Sequence, residues 1–261
     1  MGADSLTRVV AAAQAVARAH GVACDDAERI AGGSNVLVHL KPAPVVARVM
    51  TGTAVLHDDI EPWLAREVAV GEFLAGTGLI VPPTDLLPPG PHEHDGLWMT
   101  LWTYVPHDAQ AAPPDPRELG RSLKALHTAL ADYRGDLPPL SGIRDWLGRL
   151  TDSDALRSKL DALTPTVFES SLPVQALHGD ASIGNLLHTD SGLLWNDLED
   201  VCAGPVAWDV AGLVTSARSR GQNEQYVEAL LSAYGDPGGL QPFLEAHAMY
   251  DVIWKAYSRD R

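Results

Sequence analysis

Leu177-His178-Gly179-Asp180-Ala181-Ser182-Ile183-Gly184-Asn185, followed by Leu194-Trp195-Asn196-Asp197-Leu198-Glu199-Asp200, is the stretch that decides the fold. It sets an Asp, an Asn five positions later and a second Asp twelve positions after that around what reads as a strand-loop-strand hairpin. Phosphoryl transfer needs such a set: one carboxylate takes the proton of an attacking hydroxyl, while an amide and a second carboxylate hold the Mg²⁺ that neutralises a triphosphate. The apolar run Pro173-Val174-Gln175-Ala176-Leu177 puts Asp180 on the loop that ends a buried strand, and Gly192-Leu193-Leu194-Trp195 places Asp197 in the same way. Asn185 is a neutral oxygen donor, which suits a cation that keeps several waters and takes few protein ligands.

Outward from this centre, the chain reads as two lobes. Leu6 to Ala19 has helical apolar spacing and stops at Gly21. β-type runs follow at Arg29–Ala31, Val36–Leu40 and Val45–Met50, separated by Gly32-Gly33-Ser34-Asn35 and by Pro42-Ala43-Pro44. Trp63 to Ala75 is helical in pattern, Pro82 to His94 reads as loop, and Leu97 to Val105 reads as a strand. The Pro- and Asp-rich segment Pro106–Pro116 is the best linker, which gives an N-terminal lobe of residues 1–105 and a C-terminal lobe of residues 106–261. Helices dominate beyond it: Arg117–Tyr133, one from a Ser141 cap to Leu150, one from Asp152 or Ser153 to Leu163, and others near Val206–Ala217, Glu224–Tyr234 and Gln241–Tyr257.

Bulk properties narrow the function. Apolar residues make up 46% and charged residues 20% of 261, as in a soluble globular protein. The formal net charge of −15 speaks against nucleic acid and anionic lipid as partners. Cys24 and Cys202 show no metal or disulfide spacing, so a reduced cytoplasmic setting is the default. There is no apolar run of 18 residues, and the N-terminal stretch Ser5–His20 is broken by Arg8 and Arg18, so neither a membrane span nor a signal peptide is expected. His92-Glu93-His94-Asp95 reads as a solvated loop rather than a metal site, because it has no second half-site.

The series His178-Gly179-Asp180-x4-Asn185, then Asp197-x-Glu199-Asp200, then Gly204-Pro205-x3-Asp209 resembles the aminoglycoside phosphotransferase and choline kinase family, small-molecule kinases with a protein-kinase-like fold. The resemblance implies an α+β molecule with a small β-rich N-terminal lobe that binds nucleotide and a larger, mostly helical C-terminal lobe for catalysis and the acceptor, with the active-site cleft between them. It implies ATP and Mg²⁺ as cofactors, Asp180 as catalytic base, Asn185 and Asp197 as metal ligands, and His178 and Asp209 as structural support. Asp197-Leu198-Glu199 stands where protein kinases end their metal-binding triplet in Gly. Glu199 and Asp200 face either the acceptor or solvent.

On the nucleotide side, Gly32, Gly33 and Ser34 correspond to the phosphate-covering loop, where glycines let backbone approach phosphate. There is no P-loop or Gly-x-Gly-x-x-Gly signature. Arg48 stands at the position of the protein-kinase strand lysine and is a better match than Lys41. Its carboxylate partner should come from the next helix, where Glu67 fits best and Glu61 and Glu72 compete. Thr103 and Val105 are the expected backbone contacts to the base. His127, ending Leu119-Gly120-x2-Leu123-x2-Leu126-His127, reads as a packing histidine.

The reading is therefore an ATP- and Mg-dependent phosphotransferase acting on a hydroxyl of a small molecule, with no protein partner implied. The acceptor stays open among an aminoglycoside or other antibiotic, a sugar, choline and another metabolite. Two rival readings are a kinase-like nucleotide-binding protein without transfer activity, and a metal-dependent hydrolase using His178 and Asp180.

Overall fold

The computed structural model describes residues 3–32, 35–52 and 59–259. The chain divides into two compact units, Met1–Asp108 with Thr189–Leu194, and Ala109–His188 with Trp195–Arg261. The fold is α+β and protein-kinase-like. Among the described residues no helix is long and apolar enough to cross a membrane.

The first unit contains helix α1 (Ala3–Ala19), strands β1 (Asp26–Gly32), β2 (Val36–Lys41) and β3 (Val45–Val49), helix α2 (Ile60–Leu74), and strands β4 (His92–His94) and β5 (Leu97–Thr103). The strands form one antiparallel sheet in the order β1-β2-β3-β5-β4. Period-2 alternation sorts its side chains. Val38, Leu40, Val45, Ala47 and Leu101 form one buried cluster with Ala12, Ala13 and Ala17 of α1. Small residues on that helix let it lie close to the sheet. The register pairs His39 with Val46, Val46 with Trp102 and Arg48 with Thr100, so these five residues share the opposite face.

The end of the expected Pro82–His94 loop is a strand instead. His92, Glu93 and His94 pair with Met99, Trp98 and Leu97. Asp95 and Gly96 both have positive φ, 53° and 74°, and form a two-residue Asp-Gly turn that closes the hairpin. That dipeptide is the sequence signal for the hairpin, obscured by the Pro and Gly residues before it. His92 Nε2 donates to the Pro88 carbonyl at 2.7 Å, and Asp95 pairs with Arg8 at 3.0 Å. Among the described residues no three His, Cys, Asp or Glu side chains group to hold a metal.

The second unit opens with α3 (Pro116–Leu130), capped by Asp115, whose carboxylate accepts from the Arg117 and Glu118 amides. Then come α4 (Ser141–Leu150), α5 (Asp154–Leu163), a π-helical turn at Thr164–Phe168, β6 (Gln175–Leu177), β7 (Leu186–Thr189), β8 (Gly192–Trp195), β9 (Cys202–Gly204), α6 (Ala207–Ser219), α7 (Glu224–Tyr234) and α8 (Gln241–Arg259). Ser153 caps α5 through the Leu156 amide. Ser141 is not a cap: it is the first helical residue of α4, and the capping position falls on Leu140, which has no side-chain acceptor. Strand β9 pairs with β6 and gives Leu177 a partner in Cys202.

Helix α6 is buried along most of its length and packs against α8. Helices α3 and α7 meet closely at Gly120, where a Cβ would lie 2.3 Å from the Leu230 carbonyl oxygen and 3.0 Å from the Tyr234 nitrogen. Both obstacles are backbone, so relief requires the helices to separate. Gly120→Ala is therefore expected to lower stability by about 1–3 kcal/mol despite the better helix propensity of alanine. Denaturant unfolding of the two proteins checks this; an unchanged midpoint would contradict the close approach.

Candidate active site

The centre of the second unit is the Asp209 carboxylate, fully buried on α6. It accepts from the His178 amide at 2.8 Å, from the Gly179 amide at 2.9 Å and from His127 Nε2 at 2.9 Å. His127 Nδ1 is 2.8 Å from the Tyr234 hydroxyl. With Nε2–H given to the carboxylate, Nδ1 is left to accept a hydrogen bond from the tyrosine hydroxyl. Burial alone would raise the Asp209 pKa, but His127 and the amide at His178 outweigh it and hold the carboxyl below its ordinary value. Gly179 makes the grip possible. Its φ is +90°, and a Cβ there would lie 1.8 Å from the Asp200 carbonyl oxygen.

His178 turns its ring away from Asp209. Its Nε2 donates to the Asn196 carbonyl at 3.0 Å, and the Asp180 amide approaches Nδ1 at 3.4 Å. Its ring lies edge-on to Trp195 with centroids 5.5 Å apart. Burial lowers its pKa, partly offset by Asp209 and Asp197, so the neutral form with the proton on Nε2 is the one held.

Asp180 and Asn185 are joined directly. Asn185 Nδ2 donates to the Asp180 carbonyl at 2.8 Å and to Oδ2 at 2.9 Å. A 3-10 turn at Ile183–Asn185 delivers the amide, and the Asn185 carbonyl accepts from Asn196 at 3.0 Å, tying this turn to the strand end before Asp197. Burial pushes the Asp180 pKa well above that of an ordinary carboxyl. Asp200 and Asp197 push it further, and the Asn185 bond pulls the other way. Asp197 has φ +64°, a left-handed conformation uncommon for a non-glycine residue that sets its side chain apart from the strand direction. Glu199 is buried and Asp200 half-buried.

These residues fit Mg²⁺. With Nδ2 spent on Asp180, Asn185 offers its oxygen as the remaining acceptor, and Asp197 adds a carboxylate. Few hard oxygen ligands are what Mg²⁺ takes beside phosphate oxygens and water.

In the first unit Arg48 and Glu67 form a buried ion pair between β3 and α2. Thr100 Oγ1 donates to Glu67 at 3.4 Å and accepts from Trp102 Nε1 at 2.9 Å. Glu61 and Glu72 are exposed on the same helix. Gly32 closes β1 opposite Val36, while Gly33 and Ser34 lie outside the described residues. The Thr103 amide is already committed to the Pro82 carbonyl at 2.9 Å, and the Val105 carbonyl accepts from His107 Nδ1 at 2.9 Å. Sequence reasoning missed Tyr234, Trp208 and Thr100. Each looks like a core or strand residue, and each finds its partner through packing.

A buried carboxylate, an Asp–Asn pair and a second Asp thus lie at one loop and the strand end beside it. The chain belongs to the phosphotransferase enzyme family, whose profile matches residues 26–244. A homoserine kinase from Hyphomonas neptunium is 32% identical over 116 residues, 38% of this chain and only 35% of that enzyme's length. Choline kinase LicA from Streptococcus pneumoniae superposes with a TM-score of 0.69 at 14% identity, covering 95% of this chain and 91% of its own. Aminoglycoside 2′-phosphotransferase-IIIa, in its GDP complex, superposes with a TM-score of 0.67 at 13% identity, covering 100% and 94%. At these identities the two structures speak for the fold.

Two outcomes are expected for stability. Asp209→Asn puts an amide N–H against backbone donors and should cost about 3 kcal/mol in denaturant unfolding; a loss under about 0.5 kcal/mol would show that the carboxylate does not hold the loop. The second concerns His247 of α8, which lies 4.0 Å centroid to centroid from Trp208 and which burial pushes down to about 4 from 6.5. Between those values the unfolded chain takes up a proton that the folded one refuses, so stability falls as pH falls through the window. His247→Gln should reduce that slope by up to about 1.4 kcal/mol per pH unit, measured as unfolding free energy against pH. An unchanged slope would mean the imidazole is not held neutral.

Proposed function

We propose that the protein transfers the γ-phosphoryl group of ATP to a hydroxyl of a small molecule. The observation that carries this is the Asp180–Asn185 pair on a loop whose backbone is clamped by Asp209. Nucleotide binding belongs to residues 1–105, and catalysis and acceptor binding to residues 106–261. A cytoplasmic setting suits the buried thiols of Cys24 and Cys202, which form no disulfide.

In this reading Arg48, kept in place by Glu67, binds the nucleotide phosphates through an always-charged fork. Gly32, Gly33 and Ser34 cover them, and backbone near Thr103 and Val105 meets the base, with the Thr103 amide excluded because Pro82 takes it. Asn185 and Asp197 would hold Mg²⁺, which supplies charge neutralisation at the transferring phosphoryl group. Asp180 accepts the acceptor's hydroxyl proton; that oxygen bonds to the γ-phosphorus, the bridging bond to the β-phosphate breaks, and ADP leaves. The raised proton affinity of Asp180 makes it a better base than an ordinary carboxylate. His178 and Asp209 keep the carboxylate aimed, so most of the rate gain is positioning.

Ligand that binds only the folded state raises the unfolding midpoint. ATP with Mg²⁺ should do so here, and Asp197→Ala should remove the shift. Asp180→Asn should keep the shift while lowering kcat by about 10²–10⁴. Full turnover in Asp180→Asn would dismiss it as the base. A Mg-dependent shift with no transfer to any acceptor would leave a nucleotide-binding protein.

A further inference from the structure

Helix α6 ends against the catalytic loop and brings there a side chain that neither the fold nor the phosphotransfer step uses. Ser216 accepts from the Ile183 amide at 3.1 Å. One turn further on, Arg220 stands at the C-terminal end of the helix, and its Nη2 is 3.0 Å from the place a Cβ would take on Gly184. Ser182 Oγ is 3.4 Å from the same point. Apart from the chain neighbours of Gly184, no other heavy atom of the described residues comes within 4 Å of it. Gly184 belongs to the 3-10 turn that carries Asn185 to Asp180. Arg220 and Gly184 are exposed and Ser182 is half-buried, so the point is open to solvent.

Both groups that converge there are uncommitted. Among the described residues no carboxylate or carbonyl takes the Arg220 side chain, and no group bonds the Ser182 hydroxyl. Arg218, two residues earlier, is held by both oxygens of Glu224 at 2.9 and 2.8 Å. The backbone does not call for a glycine at 184 either: Gly179 in the same loop takes a positive φ and Gly184 does not. What its missing Cβ does is leave open the space in front of the guanidinium. Arginine presents a planar fork that bonds carboxylate or phosphate oxygens in pairs, and a serine hydroxyl adds one more donor. An ammonium group at the same point meets only repulsion from the fork.

We propose that Arg220 and Ser182 form an anion subsite for the acceptor, which is an alcohol carrying an acid group, carboxylate or phosphate, a few atoms from the hydroxyl that Asp180 deprotonates. This rests on the phosphotransferase reading and names the substrate class. The acid group sits at Gly184, one tight turn along the loop from Asp180, and the hydroxyl reaches back to the base. None of the carboxylates around the loop lies within 4 Å of that point, so the anion meets the guanidinium and the hydroxyl rather than Asp180, Asp197 or Asp200.

Titration calorimetry on protein saturated with ADP and Mg²⁺ tests the assignment with matched alcohols: homoserine against homoserine amide, and glycerophosphate against glycerol, with choline and kanamycin as cationic probes. In one pair the acid should bind at least about tenfold more tightly than its acid-free partner, the homoserine pair marking a carboxylate and the glycerol pair a phosphate. Arg220→Gln should erase that preference. Arg220→Lys should restore part of it, because lysine keeps the charge and loses the fork. The ATP·Mg²⁺ thermal shift should be kept in both variants. Equal binding within both pairs, tighter binding of choline or kanamycin, or an undiminished acid preference in Arg220→Gln would each overturn the subsite. Loss of the ATP·Mg²⁺ shift in the wild-type protein would instead overturn the phosphotransferase reading.

Discussion

A single buried carboxylate sets the geometry on which the catalytic loop depends. Asp209 has no exposed surface, and an isolated carboxylate in that place would be severely penalised. Three donors compensate it, two of them amides of consecutive residues. Consecutive amides rarely point the same way in extended chain. His178 and Gly179 both aim theirs at this carboxylate, and Gly179 then turns the chain at φ +90°, a conformation open to glycine at little strain. The Asp200 carbonyl oxygen occupies the space a Cβ would need, so the close packing and the turn select the same residue. Asp180 follows immediately, and its direction is set before any ligand arrives.

Helix α6 spreads this restraint along the loop. Trp208 donates its Nε1–H to the Gly179 carbonyl at 2.8 Å, Asp209 takes the amides of residues 178 and 179, and Ser216 accepts from the Ile183 amide at 3.1 Å. One helix thus fixes the loop on both sides of Asp180. Being buried nearly all round, α6 shows little amphipathic pattern, and its rigidity comes from what surrounds it. The same logic holds in the other unit, where Glu67 sits between Arg48 and Thr100 and Thr100 is tied to Trp102. In both places a polar segment is held by a buried carboxylate, Asp209 in one unit and Glu67 in the other.

What was legible in the sequence, and what was not, follows from how each feature is encoded. The Asp180–Asn185 contact is local: five residues and a tight turn bring the two together whatever the rest of the chain does. Helices α3 and α5 announce themselves by Asp115-Pro116 and Ser153, because caps are written in the residues that make them. Strand β4 escaped because Pro and Gly dominate its approach, although Asp95-Gly96 marks its turn. Ser141 misled because a serine near a helix start is a cap only when the backbone places it one residue earlier. Tyr234 reaches His127 across more than a hundred residues, through the α3–α7 contact that Gly120 permits. No local pattern encodes it. Whether the strand amide of Thr103 is available depends on its neighbour, here Pro82, whose carbonyl takes it.

The ring cluster of α4 and α8 stands on different physics from the loop. Each bond within the Asp209 network is buried, and changing one partner strands another, so those positions are mutually constrained. Trp146, Tyr250 and Trp254 are half-buried and stack on one another, and Trp146 and Tyr250 also pack against the core of the second unit. A substitution there leaves no buried charge uncompensated. Structures this alike in fold carry names as different as choline kinase and aminoglycoside phosphotransferase, because a fold does not by itself fix the acceptor.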